Sequence, residues 1–465
     1  MNVVLISTYE LGRQPFSIAS PAVWLRQAGC EVTCLDLAVQ RLSDYKHALA
    51  TADLIAFSLP MHTATRLAAG LVGKIKDISP VAHICFYGLY APVNESYLRK
   101  LGGDTILGGE FEEGLVSLVK RLANRATSEE LITEPAQPEP LISLGRQKFL
   151  VPDRSGLPQP ESYAHLQLAP GRFKTVGYTE ASRGCKHLCR HCPIVPVYNG
   201  AFRVVQRDVV LEDIRRQVAQ GTQHITFGDP DFFNGPTHGV AIVTVLHEAF
   251  PELTYDVTIK VEHLLKHKEH LATLRDTGCL FVTSAIESID DRVLEMYDKH
   301  HTREDFIKCV HLFREVGLQM NPTFVIFSPW TSLKSYLDLL HLLVDLDLVD
   351  SVAPIQYAIR LLIPASSRLL ELEEVQTLVG KFDEKTLAYP WVHSDPAVDR
   401  LQQDALREIK HGQSLRETRP QIFRRIWKIA HEAYVHSLNE HFKIASLDQA
   451  PERASVPFLT EPWYC

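Results

Sequence analysis

Helix-like and strand-like segments alternate along the middle of the chain, and this alternation restricts the fold more than any other feature. The strand-like runs, rich in β-branched and aromatic residues, lie at 175–182, 224–230, 253–260, 279–288, 320–327 and 352–360. The helical patterns between them lie at 208–220, 237–250, 262–277, 303–317 and 332–347. Strands separated by helices pair in parallel, because a parallel connection needs a long crossover. The pattern therefore predicts six βα steps in a partial (β/α)6 barrel of the TIM type.

Three cysteines stand in a short loop directly after the first of these strands. Cys185, Cys189 and Cys192 form a C-x3-C-x2-C triplet. Three thiolates can hold three irons of a [4Fe–4S] cube and leave the fourth iron without a protein ligand. A cluster that only carries electrons takes a fourth cysteine, and the next one downstream is Cys279, far outside the loop. The spacing therefore favours an iron–sulfur cluster that binds a substrate.

Two other interpretations of the triplet stay open. Structural zinc needs four ligands, which His187 or His191 would complete, although zinc ligands usually come as two C-x2-C halves. The other interpretation is a set of unligated cysteines. A disulfide is disfavoured because nine cysteines in 465 residues are sparse and odd in number, and no N-terminal apolar region indicates export.

With its triplet and βα pattern, the segment from about 170 to 375 resembles the radical S-adenosylmethionine (SAM) superfamily. In that family the open iron chelates the amino and carboxylate groups of SAM. An electron from the cluster then cleaves the sulfonium, and the resulting 5′-deoxyadenosyl radical abstracts hydrogen. The resemblance implies a [4Fe–4S] cluster on Cys185, Cys189 and Cys192, SAM as a second cofactor, and an electron donor such as flavodoxin or ferredoxin.

The resemblance also implies SAM contacts at the ends of the barrel strands. The turn that meets the SAM amino group in the family corresponds to Gly228, Asp229 and Asp231. The further candidate positions are Lys260, Glu262, Ser284, Glu287, Ser288 and Arg360. Each has a structural alternative, because a strand-end charge can be solvated, a residue before a helix can cap it, and an arginine can form an ion pair.

The first 125 or so residues form a separate unit by their pattern. Strand-like runs alternate with helical stretches and lie at 2–7, 31–36, 54–58, 82–87 and 105–108. Five strands buried on both faces predict a Rossmann-like (flavodoxin-like) parallel sheet. Ligands bind beyond the carboxyl ends of such strands, which here lead into 7–12, 58–62, 88–91 and 108–112.

This unit resembles the cobalamin-binding domain that precedes the barrel in many radical SAM enzymes, and Gly109–Glu112 is similar to its Gly-Glu-x-Glu stretch. The D-x-H-x-x-G motif that supplies a lower axial histidine is missing, since Tyr9–Gly12 holds no imidazole. His62 is the one histidine in a plausible loop, and we expect an ordinary surface role for it. Two interpretations stay open: a bound cobalamin, or a sheet that serves as a substrate lid or dimer surface.

The remaining domains follow from composition. Residues 126–168 form a proline-rich linker, 169–375 the barrel, and 376–465 a helical C-terminal region with a cysteine-containing tail. Leu459–Cys465 is similar to the ending of a radical SAM group named for its Cys-(selenocysteine or cysteine)-Ala-Glu-Pro tail (CUAEP/CCAEP). Cys465 is therefore a candidate catalytic thiol. Its place at the end of the chain has two explanations: a selenocysteine codon that was read as a stop, or a natural terminus.

Charge and hydropathy narrow the function. The net charge of −8 and the lack of basic runs argue against nucleic-acid binding. The sequence also contains no uninterrupted apolar window long enough to predict a membrane span. We expect a cytoplasmic enzyme that modifies a small-molecule substrate by radical chemistry, and cobalamin-dependent methylation is the leading hypothesis. The alternatives are cobalamin-free transfer of a SAM-derived group to a metalloid or thiol, and a non-catalytic iron–sulfur redox sensor.

Overall fold

The computed structural model describes residues 1–127, 137–438 and 456–460. Its N-terminal unit is a parallel sheet in the order β2-β1-β3-β4-β5-β6. The strands are β1 (Asn2–Ser7), β2 (Glu31–Asp36), β3 (Leu54–Ser58), β4 (His83–Tyr87), β5 (Thr105–Gly109) and β6 (Ile142–Ser143). The helices are α1 (Phe16–Gln27), α2 (Lys46–Ala50), α3 (His62–Ala69), α4 (Val72–Ile78), α5 (Tyr90–Val93), α6 (Glu95–Lys100) and α7 (Glu112–Thr127).

All five predicted strands form, and the order 2-1-3-4-5 is that of the flavodoxin-like sheet. The strands carry apolar side chains on both faces because helices cover both. Val3 and Leu5 pack with Ile18 of α1 and Leu115 of α7, whereas Val4 faces the opposite core beneath α3 and α4. The sixth strand, β6, comes from the segment predicted as linker and pairs with the end of β5.

The second unit is an open sheet in the order β14-β13-β12-β11-β8-β7-β15. The parallel strands are β8 (Arg172–Thr179), β11 (His224–Phe227), β12 (Thr254–Thr258), β13 (Cys279–Glu287) and β14 (Gln319–Phe324). At one edge β7 (His165–Ala169) and β15 (Phe458–Leu459) pair antiparallel, and β9 (Ser182–Gly184) pairs with β10 (Phe202–Val204) in a small separate sheet. The helices of this unit are α8 (Val195–Tyr198), α9 (Arg207–Ala219), α10 (Pro236–Ala249), α11 (Val261–Lys266), α12 (Leu271–Asp276), α13 (Asp291–Met296), α14 (Arg303–Val316) and α15 (Leu333–Asp345).

The sheet confirms a partial barrel, but the sixth strand predicted at 352–360 is wrong. Val349–Ser351 and Pro354–Ala358 form 3₁₀ helices, and one isolated bridge from Phe327 to Arg360 joins this segment to the rest. Pro354 has no N–H to donate to a ladder, and it stands at the first position of the second 3₁₀ helix, where its fixed φ is well accommodated. Five parallel strands and a single bridge therefore stand where six strands were expected.

Helices complete the C-terminal region, as predicted. They are α16 (Glu373–Leu378), α17 (Pro396–Ser414) and α18 (Arg419–Leu438). Leu401 of α17 and Trp427 of α18 join the barrel core, which also contains Leu340 of α15. Among the described helices, none combines the length and the apolar character that crossing a membrane requires.

A buried arginine from the linker joins three parts of the molecule. The Arg154 guanidinium donates to both carboxylate oxygens of Asp213 on α9, at 2.9 and 3.0 Å. It also donates to the side chain of Gln14 in the N-terminal unit at 2.8 Å and to the carbonyl of Tyr178 on β8 at 2.6 Å. The proline-rich segment is therefore a structural part of the fold.

We expect Arg154→Ala to lower the free energy of unfolding by about 3–5 kcal/mol, because it leaves the buried Asp213 carboxylate without a cation. Urea unfolding followed by tryptophan fluorescence measures the change. Arg99→Ala is the control, since the half-exposed pair of Arg99 with Glu95 should contribute less than about 1 kcal/mol. A loss at Arg154 as small as that of the control would contradict the structural role.

Candidate functional site

A cavity of about 2020 Å³ lies where the carboxyl ends of strands from both sheets face each other. Ser58, Gly88 and Gly109 line it from the N-terminal unit, and Gly184 and Gly228 line it from the barrel. A pocket for one drug-sized ligand usually measures about 300–1,000 Å³. This cavity therefore has room for more than one ligand.

Glycines bring the backbone of the N-terminal unit close to the cavity. Gly88 and Gly109 have φ values of 105° and 71°, which side chains disfavour. A Cβ at Gly88 would lie 3.1 Å from the Leu59 carbonyl oxygen, and a Cβ at Gly109 would overlap the Ser143 carbonyl. The strand ends therefore form a cradle of bare backbone, which suits a large flat ligand such as a corrinoid.

The cysteine loop follows β9 and is held by contacts with distant segments. Position 184, directly before Cys185, requires a glycine, because a Cβ there would overlap the Tyr198 ring. Within the loop, the Arg190 amide donates to the Tyr297 carbonyl at 2.9 Å, and Arg368 donates to the Leu188 carbonyl at 2.9 Å. These contacts fix the loop at the carboxyl end of the barrel.

The three thiols of the loop form a metal-binding donor set. Cys185, Cys189 and Cys192 are free, Cys189 is buried, and the other two are partly buried. Burial and the neighbouring thiols raise the pKa of Cys192 to about 12, so its thiolate needs a cation to form. Among the described residues the other cysteines lie elsewhere, Cys279 and Cys309 in the barrel core. Three thiols without a fourth fit a [4Fe–4S] cluster with one open iron.

The structure separates the two aspartates of the predicted SAM turn. Asp229 lines the cavity and accepts from the Ala181 amide at 2.9 Å and the Ser182 hydroxyl at 2.5 Å. Burial raises the pKa of Asp229 to about 7. Asp231 turns away and is not among the described residues that line the cavity. Its pKa is lowered because the nearby imidazoles of His187 and His263 outweigh its burial.

Lys260 and Glu262 lie on the flank of the cysteine loop. The Lys260 Nζ is 3.1 Å from His187 Nδ1 and 3.4 Å from the Glu262 carboxylate. Both residues belong to the beginning of α11, where Lys260 is the N-cap residue. The structure therefore brings these two predicted residues together beside the loop.

Glu287 lies on the other flank of the loop. It has a φ of 70°, and its carboxylate is 3.1 Å from His191 Nε2 and 3.4 Å from Lys299 Nζ. Against the effect of burial, Lys299 and His191 lower the pKa of Glu287 to about 2. Ser284 is fully buried on the same strand, and its hydroxyl has no hydrogen-bond partner among the described residues.

Arg360 and His62 have their partners outside the described lining of the cavity. Arg360 donates to Asp399 at 2.5 Å and stacks on Trp391, with 3.5 Å from its guanidinium carbon to the ring centroid. His62 is buried and its Nε2 lies 2.6 Å from the Thr386 carbonyl, so the expected surface role is wrong. The described residues that line the cavity include no histidine. Cys465, the remaining candidate, lies outside the described residues.

Sequence reasoning missed a charge cluster that joins the two units beside the cysteine loop. The guanidinium of Arg183, two residues before Cys185, lies 3.2 Å from Glu110, 2.7 Å from Glu112 and 2.8 Å from Glu180. Glu110 and Glu112 are the two acids of the Gly-Glu-x-Glu stretch. That stretch was the one signal in the sequence, but it does not indicate that its partner, Arg183, lies on β9.

Polar side chains inside the barrel were also missed. Asp256 lines the cavity, and one of its carboxylate oxygens accepts from Thr226 at 2.6 Å and contacts His224 Nε2 at 2.9 Å. Thr258 on the same strand, Thr283 on β13 and Asn321 on β14 line the same space. The inner surface of the barrel is therefore polar, which suits a substrate with hydrogen-bonding groups.

We expect Arg183→Met to destabilise the protein by about 3–5 kcal/mol at pH 8, because Glu110 and Glu112 stay buried without a cation. Burial already raises the pKa of Glu110 to about 7. A carboxyl whose pKa is raised in the folded state lowers the stability of the protein as pH rises. The destabilisation caused by Arg183→Met should therefore be smaller at pH 6, where protonation of Glu110 relieves its repulsion with Glu112. Thermal unfolding at both pH values tests this, with Arg183→Lys as the charge-retaining control. An equal defect at pH 6 and pH 8 would contradict the charge explanation.

Comparison with known proteins agrees with this geometry. Residues 179–334 match the family model "Radical SAM superfamily". The hopanoid C-3 methylase of Methylococcus capsulatus is 23% identical over 325 residues, covering 68% of this chain and 62% of the methylase. A tRNA-2-methylthio-N(6)-dimethylallyladenosine synthase of Desulfosudis oleivorans is 25% identical over 211 residues, covering 43% of this chain and 44% of the synthase. The chain thus spans less than two thirds of the length of these relatives.

Two solved structures share the fold across both units. The radical SAM enzyme OxsB with aqua-cobalamin and S-adenosylmethionine bound has a TM-score of 0.69 at 16% identity, covering 93% of this chain and 70% of its own. The methyltransferase TsrM from Kitasatospora setae, with cobalamin and a [4Fe-4S] cluster bound, has a TM-score of 0.59 at 17% identity, covering 74% and 73%. The two structures show that the fold is shared, and residues 179–334 of the partial barrel are similar to the radical SAM superfamily, which implies a [4Fe–4S] cluster and S-adenosylmethionine.

Proposed function

We propose that this protein cleaves SAM at a cluster held by Cys185, Cys189 and Cys192, and that it uses the reaction for cobalamin-dependent methylation of a small molecule. One observation carries the proposal: a single continuous cavity extends from Gly88 and Gly109 to Gly184 and Gly228. A methyl carrier on the N-terminal sheet and SAM on the barrel would share this space. The methylase relative and the cobalamin-bound structures of the same fold support the proposal.

When bound, the cluster supplies an electron to SAM and the corrinoid supplies a methyl group. The chain itself provides the enclosure. Phe16, Met61, Leu89 and Phe111 line the cavity with apolar surface, which excludes water from a reactive site. Glu10 faces the same space, and burial raises its pKa to about 8, so it is largely protonated at neutral pH and adds little charge.

The residues proposed to contact SAM fall into two groups. Gly228 and Asp229 lie in the cavity, and the carboxylate of Asp229 orients the backbone that leads into the cysteine loop. Lys260, Glu262 and Glu287 flank that loop through His187 and His191. Ser284, Arg360 and Cys465 remain candidates on the sequence resemblance, as does membership of the CUAEP/CCAEP group. Asp231 was a candidate too, but it faces His187 and His263 and is not among the described residues that line the cavity.

The proposed substrate is a small molecule with polar groups, and the charged end of the cavity beside α18 is the proposed place for it. Arg416, Arg419 and Arg424 line this end of the cavity together with Asp350 and Glu417. Residues 456–460 reach the same end, where Phe458 lies against the Arg419 guanidinium at 4.5 Å. An external electron donor such as flavodoxin or ferredoxin completes the proposed system.

Replacing Cys185, Cys189 or Cys192 with alanine should each abolish formation of 5′-deoxyadenosine from SAM and a strong reductant, because the cluster loses an iron ligand. Chromatographic quantification of 5′-deoxyadenosine measures this. Cys30→Ala is the control, since Cys30 lies in the N-terminal unit and should leave the activity unchanged. Near wild-type activity in any loop variant would contradict the cluster assignment.

We expect the protein to bind cobalamin without an imidazole ligand, because no described residue lining the cavity is a histidine. Electron paramagnetic resonance of the protein loaded with Co(II) cobalamin should show no splitting from a protein nitrogen. His62→Ala should not change that spectrum, since His62 contacts Thr386 instead. A nitrogen splitting that disappears in His62→Ala would show that this side chain turns toward the corrinoid, and failure to bind cobalamin would contradict the proposed cofactor.

A further inference from the structure

Three side chains with metal-binding atoms converge on the outer side of the cysteine loop. They are His187 from the loop, Asp231 from the turn after β11, and His263 from α11. One ligand atom from each lies within 4.8 Å of the others. Asp231 and His263 are buried, and the side chain of His187 is 11% exposed. None of the three is among the described residues that line the large cavity.

These three atoms face one another without forming directed hydrogen bonds. Asp231 Oδ2 lies 3.4 Å from His187 Nε2 and 2.7 Å from His263 Nδ1. All three atoms are nevertheless buried and without a hydrogen bond of acceptable geometry to any described residue. A hydrogen bond requires the donor to point at the acceptor, and burial of unpaired polar atoms is costly. Atoms that are close together but do not point at each other are typical of ligands that face a common ion.

We propose that His187 Nε2, Asp231 Oδ2 and His263 Nδ1 bind one zinc ion, separate from the iron–sulfur cluster. Two imidazoles and a carboxylate are a frequent protein donor set for zinc. Zinc bonds of about 2.0–2.2 Å at tetrahedral angles place ligand atoms roughly 3.4 Å apart. The His187 to Asp231 separation of 3.4 Å fits this geometry. The His263 to Asp231 separation of 2.7 Å must widen by about 0.7 Å, and the two imidazole nitrogens, which lie within 4.8 Å of each other, must take up the same spacing, so zinc binding requires the His263 ring to move.

Neighbouring groups hold the ligands in place. Asp231 Oδ1 accepts from the Phe233 amide at 3.0 Å, which leaves Oδ2 for the ion. The second ring nitrogen of His187 lies 3.6 Å from Glu262 and 3.1 Å from Lys260. A zinc-bound imidazole carries its proton on this second nitrogen and donates it to a carboxylate. Glu262 is the carboxylate on this side of the ring. For Nδ1–H to donate to it, the two side chains must approach by a few tenths of an ångström, and the Lys260 ammonium, which now donates to Nδ1, must turn to Glu262, 3.4 Å away.

The ion would join three elements that are far apart in sequence. His187 lies between Cys185 and Cys189, so the ion would connect the cysteine loop to the β11 turn and to α11. This site differs from zinc on the cysteine triplet, because there His187 would complete a set of thiolates. Here its Nε2 faces a carboxylate on another strand end. The role is structural: the bound ion restrains the loop that carries the cluster.

The test measures metal content of the full-length protein. Protein reconstituted anaerobically with iron and sulfide is incubated with Zn²⁺, desalted, and analysed by inductively coupled plasma mass spectrometry. We expect four irons and one zinc per chain. Asp231→Asn and His263→Gln should keep the four irons and lose at least nine tenths of the zinc. His270→Gln is the matched control, because His270 lies on the 3₁₀ turn after α11 and is not one of the three proposed ligands.

Three results would overturn the proposal. The first is a wild-type protein that contains iron but retains no zinc after desalting. The second is a His263→Gln variant that retains as much zinc as the wild type. The third is a wild-type protein that binds zinc but no iron, together with a Cys185→Ala variant that binds no zinc. That result would assign the zinc to the thiols.

If a variant loses iron as well as zinc, zinc K-edge X-ray absorption of the wild-type protein with its cluster in place decides. Only nitrogen and oxygen neighbours at about 2.0–2.2 Å support the proposed site. A sulfur neighbour at about 2.3 Å overturns it, because it assigns the zinc to the thiols.

Discussion

The Arg183 guanidinium, surrounded by three carboxylates, is the interaction on which the arrangement of the molecule depends. Glu110 and Glu112 belong to the N-terminal unit, Glu180 belongs to the barrel, and Arg183 stands two residues before the first loop cysteine. Buried charges are tolerated only when they are paired, so the two units cannot separate without exposing or unpairing these groups. The same contacts that hold the units together also fix the beginning of the cysteine loop relative to the N-terminal sheet.

The cavity follows from this arrangement. Two parallel sheets each leave polar backbone at the carboxyl ends of their strands, and ligands bind there. When Arg183 brings these two edges face to face, their separate clefts become one space, with Gly88 on one side and Gly228 on the other. Arg154 forms a second connection between the two units, because its side chain joins the linker to Gln14 and Asp213. Neither connection leaves the units free to act alone.

Much of the fold could be predicted because it depends on local pattern. The alternation of helix and strand is sufficient to predict both parallel sheets, whereas the metal centre indicated by the spacing of Cys185, Cys189 and Cys192 stays a prediction. The predictions failed where one residue or one distant partner decides. Pro354 begins a 3₁₀ helix in a segment whose apolar residues favour a strand. His62 is buried by Thr386, 324 residues later in the chain.

The candidate site was harder to predict than the fold, because side chains from distant segments decide which groups meet. Asp229 and Asp231 are two residues apart in one turn, yet only Asp229 faces the cavity, since the Phe233 amide and two imidazoles hold Asp231 on the other side. Arg183 pairs with Glu110 across 73 residues. Such pairs have no periodicity, and a single sequence offers no other sign of them.

The strand β15 has a consequence for the order in which the molecule is completed during synthesis. Phe458 and Leu459 pair with β7, and Thr460 donates its amide to the His165 carbonyl at 2.8 Å. These residues also line the cavity, although both sheets precede them in the chain. A ribosome therefore releases the two sheets before it releases the last described part of the wall. Until that strand docks, the part of the cavity wall formed by Phe458, Leu459 and Thr460 is missing, so the binding space is completed only after both sheets have been synthesised.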